Sequence, residues 1–310
     1  MKNTYKPEGF IPTHEKYKAK RIQRAAFSSF DTDSIYEGIA VKCDSQLNLW
    51  VDHCGVMCKM PREEVTYLFP GEKDKDIAVI SRVGKTVCFK VIGISKNESG
   101  EDEVIISRRL AQTECLNEYI AALRPGDIID ARVTHMEQFG AFCDIGCGII
   151  ALLSVDCISV SRISHPSDRF DTGACIRAVV KSRSETGRIY LTHRELLGTW
   201  EENASLFSQG QTVAGIIRSV ESYGVFIELT PNLAGLAETK EPVSPSQSAA
   251  VYIKSILPER MKIKLVLIDA KNADIPRSEV KYFGDVHKSS HIDHWLYSPK
   301  NASKVIETVF

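Results

Sequence analysis

A repeated segment constrains the fold of this chain more than any other feature. The run IIDARVTHMEQFGAFCDI, which begins at Ile128, returns as TVAGIIRSVESYGVFIEL from Thr212, at a constant offset of 84 residues. Four chemically matched pairs fall into register without a gap: Phe139 with Tyr223, Gly140 with Gly224, Phe142 with Phe226 and Asp144 with Glu228. A weaker third copy, YEGIAVKCDSQLNLWVD, begins at Tyr36 and places Trp50 at the position of Phe142. Self-similarity of this kind indicates one structural unit used three times.

Each copy has the residue pattern of short β-strands. In the second copy, apolar Ala141, Cys143 and Ile145 alternate with Phe142 and Asp144, so that one face turns to a core. Further strands are expected at 149–153, 176–181 and 188–191. Five short strands in about 70 residues are typical of a small closed barrel of the OB type. We therefore predict an all-β chain of three tandem five-stranded OB-fold barrels joined by short helices.

The repeat divides the chain into consecutive predicted parts. They are a basic N-terminal arm (1–30), a degenerate first repeat (31–112), a linker helix (113–124), a second repeat (125–200), a third repeat with its preceding helix (201–270) and a C-terminal tail (271–310). Apolar residues spaced by three and four indicate helices at 110–123 and 195–207. The basic stretch from Lys16 to Arg24 is either a solvated arm or an electrostatic tether for phosphates. We expect the tail to pack on the third repeat through Trp295, Tyr297 and Phe310.

Composition limits the class of protein. No run approaches the ~20 consecutive apolar residues of a membrane span, and the first residues lack the apolar core of a secretion signal. The nine cysteines are odd in number and scattered, which is typical of reduced thiols in a cytoplasm. A net charge of −1 excludes a wholesale polycation, so nucleic-acid binding would need local basic groups and base stacking. We expect a cytoplasmic monomer without membrane contact.

The strand alternation also predicts which side chains face outward. It turns Phe142 outward beside Asp144, Phe226 outward beside Glu228, and Trp50 outward beside Asp52. In the last strands it leaves Arg188 and Tyr190 outside in copy two, and Lys262 and Lys264 outside in copy three. Exposed aromatics beside cations form a platform for single-stranded nucleic acid, because bases stack on the rings and cations hold phosphates. The alternative is that these aromatics cover the barrel end or pack on a neighbouring repeat.

Copies two and three resemble the S1 domain, the OB-fold family first described in the small-subunit ribosomal protein S1. The resemblance rests on PGDIIDARVTHMEQFGAFCDIGCGI followed by GRIYLTHRE, and on GQTVAGIIRSVESYGVFIEL followed by MKIKLVLID. It covers about Pro125 to Asp269 and extends weakly to Asp33. In that family the aromatics of the FGAF positions and the basic residue before the last strand bind RNA. The resemblance therefore implies RNA-binding roles for Phe139, Phe142, Arg188, Tyr223, Phe226 and Lys262.

The sequence departs from the family pattern at several positions. Many members have a histidine after the third strand, where Ser154 and Glu238 align here. Copy one has Leu47 in place of the first aromatic and Glu103 where Arg188 would align, so we predict a poor RNA binder that docks a protein surface instead. The loop 161–170 of copy two adds further candidates because it is basic and lies near the predicted face. The complete set of RNA-binding candidates is Trp50, Phe139, Phe142, His165, Arg169, Arg188, Tyr223, Phe226, Lys262 and Lys264, with Arg162 as a further basic residue in the loop.

Motifs for catalysis and metal binding are sparse. The chain has neither a phosphate-binding P-loop nor an HExxH zinc helix. The pairs Cys54/Cys58 and Cys143/Cys147 have the C-x3-C spacing of half a zinc site, without a matching second half. The tail histidines, His287, His291 and His294, form a second weak candidate, and surface positions are the simpler interpretation. We therefore predict no enzyme activity, cofactor or bound metal.

Two functions follow from these patterns. The first is capture of single-stranded RNA, such as mRNA, in translation or RNA metabolism, with the small ribosomal subunit as a candidate partner. The second is a protein-interaction or regulatory scaffold whose barrels dock a protein partner. Exposed aromatics and cations favour the first, and the degenerate copy one leaves the second open.

Overall fold

The computed structural model describes residues 5–9, 31–73, 75–96, 99–238, 242–272, 280–284 and 289–310. Its strands form three closed five-stranded barrels, each built from one copy of the repeat, so the predicted all-β architecture of tandem OB-type barrels is confirmed. No helix among the described residues is both long and apolar enough to cross a membrane. The stretch from Lys16 to Arg24 lies outside the described residues.

Barrels 1, 2 and 3 share one topology. Barrel 1 consists of β1 Tyr36–Cys43, β2 Leu49–His53, β3 Val56–Met60, β4 Thr86–Lys96 and β5 Asp102–Ser107. Barrel 2 consists of β6 Ile128–Glu137, β7 Gly140–Asp144, β8 Ile150–Ser154, β9 Cys175–Arg183 and β10 Ile189–Thr192. Barrel 3 consists of β11 Thr212–Glu221, β12 Gly224–Thr230, β13 Leu233–Glu238, β14 Ser248–Leu257 and β15 Lys262–Lys271. In each barrel the third and fifth strands pair in parallel and close a sheet whose other pairs are antiparallel.

The connecting helices are shorter than the periodicity suggests. α1 Asp76–Ile80 lies within barrel 1, α2 Arg108–Glu118 links barrels 1 and 2, and α3 Trp200–Ala204 precedes barrel 3. Single 3₁₀ turns occur at Arg62–Glu64, Ile120–Ala122, Val155–Cys157, Pro166–Asp168, Arg194–Leu197 and Pro258–Arg260. The apolar spacing at 195–207 therefore gives two short helices separated by Gly198, not one helix. Thr199 begins α3 with a capping box, in which its hydroxyl accepts from Glu202 N and the Glu202 carboxylate accepts from Thr199 N.

Barrels 1 and 2 are joined by the segment 5–9, which carries a buried carboxylate. Glu8 accepts hydrogen bonds from Arg108 Nε at 2.6 Å and from Cys88 N at 3.0 Å, so it contacts barrel 1 and the start of α2 together. Its own amide donates to Asp144 Oδ2 of barrel 2 at 2.7 Å. Burial opposes the charge of Glu8, but Arg108 outweighs it and lowers the pKa of this carboxyl. One segment thus connects both barrels.

The outward position expected for Asp144 is wrong. The residue is 2% exposed, because segment 5–9 covers the face of β7 on which it lies. Its Oδ1 accepts from the amides of Gly146 and Gly148 at 2.9 and 3.0 Å. Burial and the neighbouring Glu8 charge raise the pKa of Asp144 to about 7. Strand alternation correctly places Asp144 on the outer side of the barrel wall, but it cannot show which segment covers that side.

Barrels 2 and 3 are joined by a second polar junction. Asn232 is fully buried and accepts from Val160 N at 2.9 Å, while its amide donates to Gly198 O at 2.9 Å. Glu228, which was also expected to face outward, is 5% exposed and bonds to Arg218 Nε at 2.8 Å. It also accepts from Arg169 of barrel 2. The two barrels therefore share a buried, hydrogen-bonded contact.

The C-terminal segment packs along this second junction. β16 His294–Leu296 pairs with β17 Glu307–Val309, and Trp295 and Tyr297 are buried against the core of barrel 3. Phe310, expected on the same barrel, instead packs against the cluster that contains Ile128 and Val179 of barrel 2. The tail therefore contacts both barrels.

Gly198 should be intolerant of a side chain. Its φ of 81° and ψ of 165° lie in a region that only glycine adopts, and an added Cβ would lie 2.6 Å from Cγ of Phe283. We expect Gly198→Ala to lower the free energy of unfolding by about 3 kcal/mol in urea denaturation. Gly187→Ala is the matched control, since Gly187 has a φ of 85° but no atom of the described residues would lie within 4 Å of its Cβ, and about 1 kcal/mol is expected there. Equal losses would contradict the steric explanation.

His193 should make the stability depend on pH. It is 1% exposed, and burial lowers its pKa from 6.5 to about 4, so the folded state binds the proton less tightly than the unfolded state. The free energy of unfolding therefore keeps its full value, as far as His193 is concerned, above pH 6.5. It decreases as the pH falls towards 4, by a limit on the order of 3 kcal/mol. Urea denaturation at a series of pH values should show a shallower acid-side slope for His193→Gln. An unchanged slope would contradict this assignment.

Candidate nucleic-acid interface

Barrel 2 presents an exposed aromatic pair at the turn between β6 and β7. Phe139 is 56% exposed and Phe142 is half-buried, and their rings meet edge to face with centroids 5.9 Å apart. The turn is tight because Gly140 faces the β8 backbone: a Cβ there would lie 2.6 Å from Leu153 O. The pair therefore projects from a rigid strand connection.

A third ring extends this pair. The exposed side chain of His135 stacks on Phe142 with a centroid distance of 6.1 Å and an interplanar angle of 17°. Its Nε2 lies 2.7 Å from Glu137 Oε1. Sequence reasoning missed His135 because the repeat has Ser219 at this position. The available signal was strand register, since His135 pairs directly with Phe142 across β6 and β7.

Barrel 3 repeats the aromatic pair. Tyr223 is 64% exposed, and its ring meets that of Phe226 edge to face at 6.2 Å and 90°. The corresponding values in barrel 2 are 5.9 Å and 89°. Two barrels of one chain thus hold two exposed rings in the same geometry.

Barrel 1 uses the equivalent position differently. The indole of Trp50 donates from Nε1 to Asp44 Oδ2 at 3.1 Å. Two ammonium groups lie over its ring, Lys42 Nζ at 4.8 Å and Lys59 Nζ at 5.7 Å from the centroid. Both ammonium groups are attracted to the negative face of the indole ring in a cation–π interaction. Trp50 is half-buried within this cluster, and Leu47 stands where barrel 2 has Phe139.

The basic candidates fall into two groups. Lys262 and Lys264 are exposed on β15, with no ion-pair partner among the residues that the structure describes. Arg188 is exposed at the start of β10, but its guanidinium contacts Glu72 of barrel 1 and lies 5.4 Å from the ring centroid of Phe69. A loop of barrel 1 thus reaches the last strand of barrel 2.

Two candidates in the loop 161–170 are held within the protein. Arg169 has a side chain only 6% exposed, pairs with Glu228 and lies 3.3 Å from Ser159 Oγ. Burial is the largest effect and lowers the pKa of Arg169, whereas the charge of Glu228 acts in the opposite direction. His165 caps the 3₁₀ turn Pro166–Asp168, where its Nδ1 accepts from Ser167 N at 3.1 Å. The structure therefore places Arg169 in the junction of barrels 2 and 3, and His165 at the cap of the 3₁₀ turn that precedes it.

The two described tail histidines, His291 and His294, bind different acceptors. His291 Nδ1 lies 2.7 Å from Asp127 Oδ1, and His294 Nε2 lies 2.9 Å from Glu307 Oε2. The neighbouring Asp127 raises the pKa of His291. His287 lies outside the described residues. Within the described ranges, no three metal-ligating side chains cluster together.

Comparisons with known proteins agree with this geometry. The profile of the S1 RNA binding domain matches residues 122–194, the span of barrel 2. Small ribosomal subunit protein bS1 of Rhizobium meliloti (strain 1021) is 28% identical over 192 residues, covering 56% of this chain and 34% of that protein. The bS1 protein of Staphylococcus aureus (strain COL) is 27% identical over 214 residues, covering 64% and 53%. The bS1 homolog of Bacillus subtilis (strain 168) is 26% identical over 224 residues, covering 70% and 57%.

Barrel 2 thus matches the S1 RNA binding domain, and barrels 1 and 3 share its five-stranded topology. Over 56–70% of its length, the chain is similar to ribosomal protein S1. It spans about a third to somewhat more than half of the length of these curated relatives.

Proposed function

We propose that this chain binds single-stranded RNA on the aromatic faces of barrels 2 and 3. The observation that carries the proposal is the same exposed edge-to-face pair at the same position of both barrels, Phe139/Phe142 and Tyr223/Phe226. Stacking of a base on an aromatic side chain contributes roughly 1–3 kcal/mol and tolerates every base. Because the net charge is −1, stacking supplies most of the affinity and local cations supply the rest.

The two faces act on one strand. Asn232 and the ion pairs of Glu228 fix barrels 2 and 3 relative to each other. A strand held by one barrel is therefore presented to the other at a high effective concentration, and little ordering of the protein opposes binding. Lys262 and Lys264 provide phosphate contacts on barrel 3, and the stacked His135 extends the surface of barrel 2.

The wider role is inferred from the relatives. The relatives are named as proteins of the small ribosomal subunit. We propose that this chain acts in the cytoplasm in translation or RNA metabolism, with mRNA and the small ribosomal subunit as partners, and that it captures RNA without a chemical step. Barrel 1 is proposed to contribute little to RNA affinity, because Trp50 is engaged by Asp44 and two lysines.

Removing the aromatic pair of barrel 2 should weaken RNA binding. We expect Phe139→Ala/Phe142→Ala to lower the affinity for a labelled single-stranded RNA at least about fivefold, as the loss of one stacked base, worth roughly 1–3 kcal/mol, predicts. Fluorescence anisotropy over a salt series measures this, with duplex RNA and single-stranded DNA as competitors. Trp50→Ala is the matched control and should stay within twofold of the wild type. Binding that ignores both changes would favour the protein-docking scaffold.

Neutralising Glu72 should strengthen RNA binding. Glu72 contacts Arg188, so Glu72→Gln should release the guanidinium for phosphate and raise the affinity about threefold at low salt. Glu63→Gln removes the same charge from an exposed position of barrel 1 and is expected to have a smaller effect. The gain should vanish in Glu72→Gln/Arg188→Gln. A gain that persists in this double variant would show a general charge effect.

A further inference from the structure

A cavity between barrels 2 and 3 opens beside the aromatic pair of barrel 3. Its volume is about 420 Å³, within the range of small-molecule sites. One wall is the loop of barrel 2 that contains Val160 and Arg162, and the other is formed by Tyr223, Phe226 and Ala234 of barrel 3. No single barrel contains this cavity, so a resemblance between individual domains does not imply it.

The cavity is built by fixed contacts. The amide of Val160 donates to Asn232 Oδ1 at 2.9 Å, and the amide of Ser161 donates to Pro231 O at 3.1 Å. Asn232 in turn accepts at its backbone carbonyl from the Tyr297 hydroxyl of the C-terminal segment. The barrel 2 wall is therefore held by barrel 3, and the cavity does not depend on a loose loop.

The lining has the chemistry of a nucleotide site. Phe226 and Tyr223 offer ring faces, while Ala234 and Ser219 are small and leave room for a planar base. Arg218 is engaged by Glu228 and Asp168. Arg162 is exposed and has no ion-pair partner within the described ranges, so it is the cation of this wall that remains for a phosphate.

We infer that this cavity binds one unpaired nucleotide of the RNA strand where the strand crosses from barrel 2 to barrel 3. The base lies against Phe226 and Tyr223, and its phosphate meets Arg162. Glu221 on the same lining can accept a hydrogen bond from the base edge. This inference rests on the proposed function and adds to it a site shared by two barrels.

The first test uses cytidine 5′-monophosphate and the full chain with ¹³C-labelled alanine and valine methyl groups. The methyl signals of Val160 and Ala234, which belong to different barrels, should shift together with one dissociation constant. Ala234→Phe fills the cavity and should abolish the shift at Val160, whereas Ala234→Ser should retain it. No shift at Val160 in the wild type, with or without one at Ala234, would overturn the shared site.

The second test uses anisotropy with single-stranded RNA. Arg162→Ala should lower the affinity about threefold to tenfold and reduce the salt slope by about 0.7, the value for one phosphate contact on a single strand. Arg124→Ala removes an equal charge from an exposed position before barrel 2 and should leave both quantities unchanged. Ala234→Phe should lower the affinity about tenfold.

These results separate the two proposals. If Phe139→Ala/Phe142→Ala weakens RNA binding but Arg162→Ala and Ala234→Phe do not, the cavity assignment fails and the RNA-binding function stands. If the wild type does not bind single-stranded RNA, the function itself fails, and the cavity assignment fails with it.

Discussion

The arrangement of this chain depends on one buried ion pair, Arg108 with Glu8. Arg108 is fully buried and donates two hydrogen bonds to the carboxylate, at 2.6 Å from Nε and 3.0 Å from Nη2. Burying two charges is costly unless their remaining hydrogen-bond sites are satisfied. Here the guanidinium also reaches Val65 O and Gly148 O, and a Cβ at Gly148 would lie 1.8 Å from Nη2. Removing either charged partner would leave the other unpaired between two barrels.

At the second junction, different residues satisfy a charge that is buried between two barrels. Arg169 of barrel 2 and Arg218 of barrel 3 share the buried carboxylate of Glu228, which aligns with Asp144 in the repeat. In both junctions, an acidic residue at or near the end of the second strand receives donors from outside its own barrel. Each of these two copies of the repeat thus provides a strand surface and, at the same position, an acidic residue to which a neighbouring part of the chain is hydrogen-bonded. Equivalent attachment keeps the aromatic turns of barrels 2 and 3 at fixed positions.

Sequence patterns predicted the barrels and the aromatic pairs because those features depend on local alternation and on the repeat. Phe139 and Tyr223 lie in strand connections, so their exposure follows from the chain around them. The surroundings of Asp144, Glu228 and Arg169 could not be predicted in this way. Each meets a residue far away in sequence, and period-two alternation carries no information about that neighbour.

The contacts between barrels also determine how charge is distributed over the proposed RNA surface. Arginine has a planar fork that pairs well with carboxylates, and the junctions use Arg108, Arg169 and Arg218 in this way. Lys262 and Lys264 remain exposed on barrel 3. Barrel 2 has three rings and a guanidinium engaged by Glu72, whereas barrel 3 has two rings and two exposed lysines. A strand crossing both barrels would therefore rely more on stacking at barrel 2 and more on phosphate contacts at barrel 3.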